Sequence, residues 1–224
     1  MNDPYEAARS AMVDHQLRAR GIYDERVLEA MAAVPRHEFV PEAQRDQAYA
    51  DGALPIGSDQ TISQPYIVAL MTQALHLQGD ENVLEVGTGS GYQTAILCHL
   101  AKHVYTLERH RRLADSAARI LKHLGYDNVD IHVGDGSQGL PDMAPFHAIV
   151  VTAAAPSVPG PLRSQLHADG GRLVIPVGDS KSQFLELVTR HENRWEMKRI
   201  ASVRFVPLIG TYGFRPSQDN SAEV

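Results

Sequence analysis

The stretch Val83-Leu84-Glu85-Val86-Gly87-Thr88-Gly89-Ser90-Gly91-Tyr92-Gln93-Thr94 constrains this chain most. Its short apolar run with β-branched Val83 and Val86 predicts a buried strand. Three glycines in five positions predict a tight loop, and Tyr92 to Ala101 predicts a helix. Strand, turn and helix in that order open a βαβ unit, and with it an α/β fold. Glycine accepts φ > 0 and lets a ligand press against the backbone, while free N–H groups at a helix start attract a carboxylate or phosphate. The loop is therefore a candidate ligand seat.

The spacing narrows the ligand. A dinucleotide loop runs Gly-x-Gly-x-x-Gly, whereas here the glycines are Gly87, Gly89 and Gly91, with Tyr92 where the third is wanted. The loop resembles instead the first motif of Rossmann-like S-adenosylmethionine-dependent methyltransferases. Downstream, Val104 to Glu108 predicts a second strand ending in a carboxylate, near the ~20-residue offset at which such folds hold a ribose diol. A carboxylate accepts from both hydroxyls at once. The competing reading of Glu108 is a solvated charge after a strand.

Charge and length exclude other classes. With 21 Lys and Arg against 27 Asp and Glu the net charge is -6, and no run of like charges stands out. Neither nucleic acid nor an anionic membrane is an expected partner. A chain of 224 residues predicts one domain over residues 1–210, with helices and a loop up to residue 80 and the sheet core after it. The amino end lacks a basic segment followed by an apolar one, and no apolar stretch is long enough to span a bilayer, so a cytoplasmic protein is expected. Cys98, the only cysteine, excludes an internal disulfide and a cysteine zinc cage, and reads as a packed helix residue. The eleven histidines show no helical pairing suited to a metal, so no metal is expected.

In chain order, Tyr5 to Arg18 and Glu25 to Ala33 predict amphipathic helices, with Ala8, Ala11, Met12 and Leu17 on one buried face and Val27, Leu28, Met31 and Ala32 on the other. Gly21 closes the first and Val34-Pro35 the second. Residues 36–41 read as a loop between prolines, with His15 and His37 at most partly buried. Residues 53–66, with two prolines and a glycine, read as a covering loop without long regular structure. Pro65 then opens a helix with Ile67, Leu70, Met71, Ala74 and Leu75 inside, and Ser63 or Gln64 can be its cap. Phe146 to Val151 and Gly171 to Val177 predict further strands. Phe184 to Val188 and Trp195 to Val203 alternate as antiparallel ribbons do.

Pro55-Ile56-Gly57, Gln60-Thr61-Ile62-Ser63-Gln64-Pro65-Tyr66 and the glycine loop together closely resemble the protein-L-isoaspartate O-methyltransferase family in its bacterial form. So do Gly134-Asp135-Gly136, Pro145 to Ala154 and Val203 to Leu208. The resemblance runs from about Met12 to Leu208, and the Gln60 to Pro65 segment is its specific part. It implies a Rossmann-like class I methyltransferase fold: a mostly parallel twisted sheet with helices on both faces, antiparallel C-terminal strands and an N-terminal helical cap. It implies methyl transfer from S-adenosylmethionine to the free α-carboxylate of L-isoaspartyl residues in damaged proteins and peptides. It also implies Ser63 as the catalytic position, and cofactor contacts at Gln60, Thr61, Ile62, Ser63, Glu85, Gly87, Gly89, Ser90 and Gly91. Further contacts fall on Glu108 and Arg109, on Asp135 and Gly136 at the adenine, and on Thr152. Ile56, Tyr66 and Val206 would line the peptide site.

Two features depart from the family pattern. Asp59 stands where glycine is usual, although aspartate tolerates left-handed φ. A tail rich in Gly, Pro, Ser, Asp and Asn follows the core, and residues 211–224 are expected to be disordered. Two alternatives stay open: a methyltransferase acting on a small molecule, and a non-catalytic module that binds nucleosides or NAD.

Overall fold

The computed structural model describes residues 3–215. Helical spacing of apolar residues gives α1 (Glu6–Ala11), which widens into a π-helical turn over Met12–Leu17 and closes through a 3-10 turn at left-handed Gly21, φ 88°. The wider turn brings Met12, Val13 and Leu17 into the core and leaves Ala8 and Ala11, expected inside, exposed. In α2 (Glu25–Ala33), Asp24 caps the first turn by accepting from the Arg26 N–H. Ala30, not Ala32, joins Val27, Leu28 and Met31 in the core.

The segment after α2 is more buried than a loop between prolines suggests. Arg36 is fully buried, its Nε donating to the Ala48 carbonyl at 2.6 Å and its guanidinium lying over the Tyr92 ring. His37 is buried too, with Nδ1 2.8 Å from the Tyr49 hydroxyl. His37 was expected to be at most partly buried; aromatic neighbours from other parts of the chain cover both residues.

Residues 53–66 contain a hairpin that composition hid, β1 (Leu54–Gly57) with β2 (Gln60–Ile62). Ser58 and Asp59 both adopt left-handed backbone, φ 50° and 54°, the conformation that a tight hairpin turn with matched twist requires. Asp59 thus occupies the geometry for which glycine is the usual choice. The next helix, α3 (Pro65–Leu75), starts at Pro65 and buries Val68, Ala69, Met71, Thr72 and Leu75. Its face is rotated from the expected one, since Ile67, Leu70 and Ala74 are only partly covered.

The core follows as β3 (Asn82–Val86), α4 (Tyr92–Leu100), β4 (His103–Glu108), α5 (Arg111–His123), β5 (Val129–Val133), β6 (Ala148–Val151) and α6 (Gly160–Ser164). It ends in β7 (Asp169–Gly178), β8 (Gln183–His191) and β9 (Arg194–Val203). The sheet order is β5-β4-β3-β6-β7-β8-β9, parallel from β5 to β7 and antiparallel thereafter. This is the Rossmann-like arrangement predicted.

Successive side chains of β3 serve opposite faces of the sheet. Val83 packs with Ile96, Met71 and the N-terminal helices, while Leu84 and Val86 pack with Phe146, Ile149 and Leu162. The order reverses at β3, which has β4 on one side and β6 on the other. The crevice at the carboxyl ends there is where open parallel sheets receive ligands.

The chain then returns to that crevice. Ala154 and Pro207 form a bridge, and residues 208–214 make a short strap closed by Phe214 N–H to the Leu208 carbonyl at 2.7 Å. Residues 211–215, expected in the disordered tail, are therefore described, with Thr211 and Tyr212 bonded to the core. The rest of that tail, 216–224, lies outside the described residues.

Candidate active site

The glycine loop leaves β3 with Gly87 at φ 99°, Gly89 at 53° and Gly91 at 89°. Each glycine has its own reason. A Cβ on Gly87 would collide with the Thr152 hydroxyl, which donates to the Gly87 carbonyl at 2.7 Å and so ties the loops after β3 and β6 together. A Cβ on Gly91 would press on Ala117 of α5 at 3.2 Å. Gly89 is held by Glu108: its N–H donates to Oε2 at 2.9 Å, and the His110 N–H donates to Oε1 at 2.9 Å. Both oxygens keep a further lone pair, and they sit at the cavity wall.

Beneath the loop lies a buried polar relay. Glu85 accepts at Oε2 from the hydroxyls of Thr94 at 2.5 Å and Thr106 at 2.6 Å, and Thr106 lies 2.6 Å from the hydroxyl of Thr88. Because Thr106 gives its proton to Glu85, Thr88 must be the donor to Thr106. Glu85 Oε1 has no partner among the described residues. Burial pushes the Glu85 carboxyl up to about 8 against the pull of the two threonine bonds, so at neutral pH it is mostly protonated. Glu85 is thus a support under the loop. It is not among the residues that line the cavity.

The cavity itself gathers Gln60, Thr61, Ile62 and Ser63 from the hairpin segment and Gly87, Gly89 and Ser90 from the glycine loop. Glu108 and Arg109 join from the end of β4, Gly136 from the loop after β5, and Thr152 with Val206 from the opposite side. A second, adjoining groove is lined by Asp51, Gln64, Ile67 and Arg204 among others. Thr61, Ser63, Thr152 and Val206 border both.

Ser63 stands on this shared wall without a hydrogen bond among the described residues. The helix-cap alternative has no support in the geometry. The capping residue of α3 is Gln64, no side chain bonds the first turn, and the Gln64 amide donates to Asp51 instead. The Ser63 hydroxyl is left available.

Four further expected positions are not among the residues that line the cavity. Gly91 shapes the helix start, and Ile56 packs beside Gly89 and the core without entering the cavity. Tyr66 lies with its ring under the Arg20 guanidinium, 3.8 Å away, and borders neither the cavity nor the groove. Asp135 borders two neighbouring pockets that share Leu107, Arg109 and Ile209 with the cavity, and its carboxylate is bonded within the protein. Its Oδ1 accepts from the N–H and hydroxyl of Ser137, and its Oδ2 from Gln138 and the Thr211 N–H. Burial opposes ionisation there, but these bonds outweigh it and hold the carboxyl below the usual carboxylate range.

The sequence reading missed much of the apolar part of the cavity: Leu107, Val68, Leu208 and Ile209, with Pro207. Leu107 was legible as the neighbour of Glu108 at a strand end. No local signal marks the strap that brings Leu208 and Ile209 back. The donor set suits an S-adenosyl nucleoside: a carboxylate with two open lone pairs for a diol, glycine backbone for close approach, and apolar walls for a purine.

Comparison with known proteins agrees with that chemistry. The family described as protein-L-isoaspartate(D-aspartate) O-methyltransferase matches residues 7–213. The chain is 55% identical over 210 residues to protein-L-isoaspartate O-methyltransferase 1 of Syntrophobacter fumaroxidans, covering 94% of this chain and 98% of that protein. It is 52% identical over 223 residues to the protein-L-isoaspartate O-methyltransferase of Herpetosiphon aurantiacus, covering 100% and 99%. A Plasmodium falciparum structure described as a putative enzyme of this kind, in complex with S-adenosyl-L-homocysteine, superimposes with a TM-score of 0.78 at 26% identity, covering 90% of this chain and 98% of that one.

Proposed function

The chain belongs to the protein-L-isoaspartate(D-aspartate) O-methyltransferase family, and on that premise we propose how its own residues carry out the transfer. The reaction moves a methyl group from S-adenosylmethionine to the free α-carboxylate of an L-isoaspartyl residue. The neighbouring backbone nitrogen then attacks the ester carbonyl and closes a succinimide, losing its proton as methanol is released, and hydrolysis of the ring returns some normal aspartate. Bound S-adenosylmethionine supplies a methyl group on a sulfonium, which needs no further activation. The acceptor is already ionised at neutral pH, so no strong base is called for.

What remains for the protein is position. Glu108 receives the ribose diol on its open lone pairs, the glycine loop lies along the methionine portion, and Leu107, Leu208 and Ile209 exclude water around the purine. Ser63 donates its hydroxyl to one oxygen of the substrate carboxylate and so turns the other toward the methyl group. The observation that carries this reading is the unbonded Ser63 hydroxyl on the wall common to cavity and groove. Holding the reacting atoms in line across that wall supplies most of the acceleration. The damaged peptide lies in the groove, against Val206 and residues 202–205. We further propose a cytoplasmic enzyme whose partners are such proteins and peptides, with neither nucleic acid nor membrane among them, as the absence of a like-charge run favours. Among the described residues no helix is long and apolar enough to cross a membrane.

The test is methyl transfer from labelled S-adenosylmethionine to a peptide with one L-isoaspartyl residue, beside the same peptide with L-aspartate. Charge and composition are equal, so only backbone connectivity differs. Base-labile label on the isoaspartyl peptide alone is the expected result. Equal labelling of both, or of neither with cofactor bound, would refute the assignment of the groove.

A further inference from the structure

The acceptor in the proposed transfer is a carboxylate, yet one side chain lining the groove beside Ser63 is a carboxylate too. Asp51 borders that groove together with Ser63 and Gln64. Unmatched, its charge would repel the acceptor. Arg20, at the end of the 3-10 turn Arg18–Arg20, matches it: Nη1 donates to Oδ1 at 3.0 Å and to Oδ2 at 2.9 Å. Arg20 itself is not among the residues that line the groove.

The pair is tied to the segment that carries Ser63. The Arg20 guanidinium lies over the Tyr66 ring at 3.8 Å, and Asp51 Oδ1 also accepts from the Gln64 amide at 2.7 Å. Gln64 directly follows Ser63, and Tyr66 lies in the first turn of α3. The Arg20 and Asp51 side chains are 40% and 46% exposed, so the ion pair adds little to stability. Its consequence is the charge presented to the groove. Arg204 is the other charged residue of the lining, and it has no ion pair among the described residues. With Asp51 matched, the groove keeps one unmatched charge, and that charge is positive.

We propose that Arg20 is a positioning residue for the acceptor: by neutralising Asp51 it leaves Arg204 as the unmatched charge of the groove, and so lets the carboxylate of the damaged residue approach Ser63. It acts through Asp51 and touches neither substrate nor cofactor. This rests on the reading of the groove as the peptide site. The competing role is mechanical, with Arg20 serving only to anchor Tyr66 and, through Asp51, Gln64.

Arg20→Gln removes one charge, and the same change combined with Asp51→Asn removes both, while the asparagine oxygen can still accept from Gln64. The measurements are kcat and the KM values for the isoaspartyl peptide and for S-adenosylmethionine, at low and high salt. Arg20→Gln should raise the peptide KM about five- to tenfold at low salt, with kcat and the S-adenosylmethionine KM nearly unchanged. Added salt should shrink that rise, and the double variant should recover most of it. A mechanical role would leave the double variant as impaired as the single one, because the contact with Tyr66 is missing from both, and the charge reading would be abandoned. So would a rise that salt does not diminish, or one that falls equally on S-adenosylmethionine. Asp51→Asn alone leaves Arg20 unmatched and should lower the peptide KM at low salt; a raised KM would overturn the proposal, and if Arg20→Gln does not fold, this variant decides. No transfer to the isoaspartyl peptide by the unaltered protein would instead overturn the groove assignment, and the role of Arg20 with it.

Discussion

At the scale of single residues, the fold leaves the Ser63 hydroxyl with no bond among the described residues, and this fixes what its removal should do. Ser63→Ala should lower turnover about ten- to a hundredfold, the scale of one hydrogen bond to a charged group, with S-adenosylmethionine affinity and melting temperature nearly unchanged. A variant that loses stability instead would restore the helix-cap reading. Glu108 serves both the Gly89 N–H and the proposed diol, so Glu108→Ala should weaken cofactor binding by roughly 1.5 to 3 kcal/mol in a calorimetric titration. Glu85 carries a pH signature. Its carboxyl ionises at the ordinary carboxylate value in the unfolded chain but only near 8 in the folded one. Between those values the unfolded chain holds fewer protons, so stability is full below the unfolded pKa and falls as pH rises through 8, by up to about 1.4 kcal/mol per pH unit. Glu85→Gln, which still accepts from Thr94 and Thr106, should flatten that slope in denaturant titrations at pH 6 and 9.

At the scale of elements, the hairpin of β1 and β2 carries the segment that ends in Ser63, and its turn has two non-glycine residues in left-handed backbone. Asp59→Gly should therefore stabilise the protein by about 0.5 to 1 kcal/mol in equilibrium unfolding, because the steric cost of a Cβ at positive φ disappears. Loss of stability would show that Asp59 makes a compensating interaction in solution. The π-helical turn at Met12–Leu17 works in the opposite sense: it departs from regular helix and in doing so turns Val13 inward beside Met12 and Leu17. Helical periodicity averaged over the whole segment cannot report such a shift, which is why Ala8 and Ala11 were assigned to the wrong side.

At the scale of the whole molecule, the cavity is assembled from the N-terminal hairpin, the sheet core and the returning strap, so ligand binding should stabilise all of them together. S-adenosylhomocysteine at a hundred times its dissociation constant should raise stability by about 2.7 kcal/mol and move a single thermal transition upward. A melt in two steps, one of them unmoved by ligand, would show that residues 1–80 and the core unfold independently. The sequence by itself determined the strand, glycine loop and helix, the acidic end of β4, the parallel core and the Gln60 to Pro65 segment, because each is written in neighbouring residues whose spacing or φ preference is local. Only the tertiary structure decided that Arg36 and His37 are buried, that Glu85 supports the loop from below, and that Tyr66 turns to Arg20. It alone placed Asp135 under the strap and Leu208 and Ile209 on the cavity wall. Those outcomes depend on contacts between residues tens of positions apart, and burial or hydrogen bonding across such distances is a property of the packed chain, which no local pattern encodes.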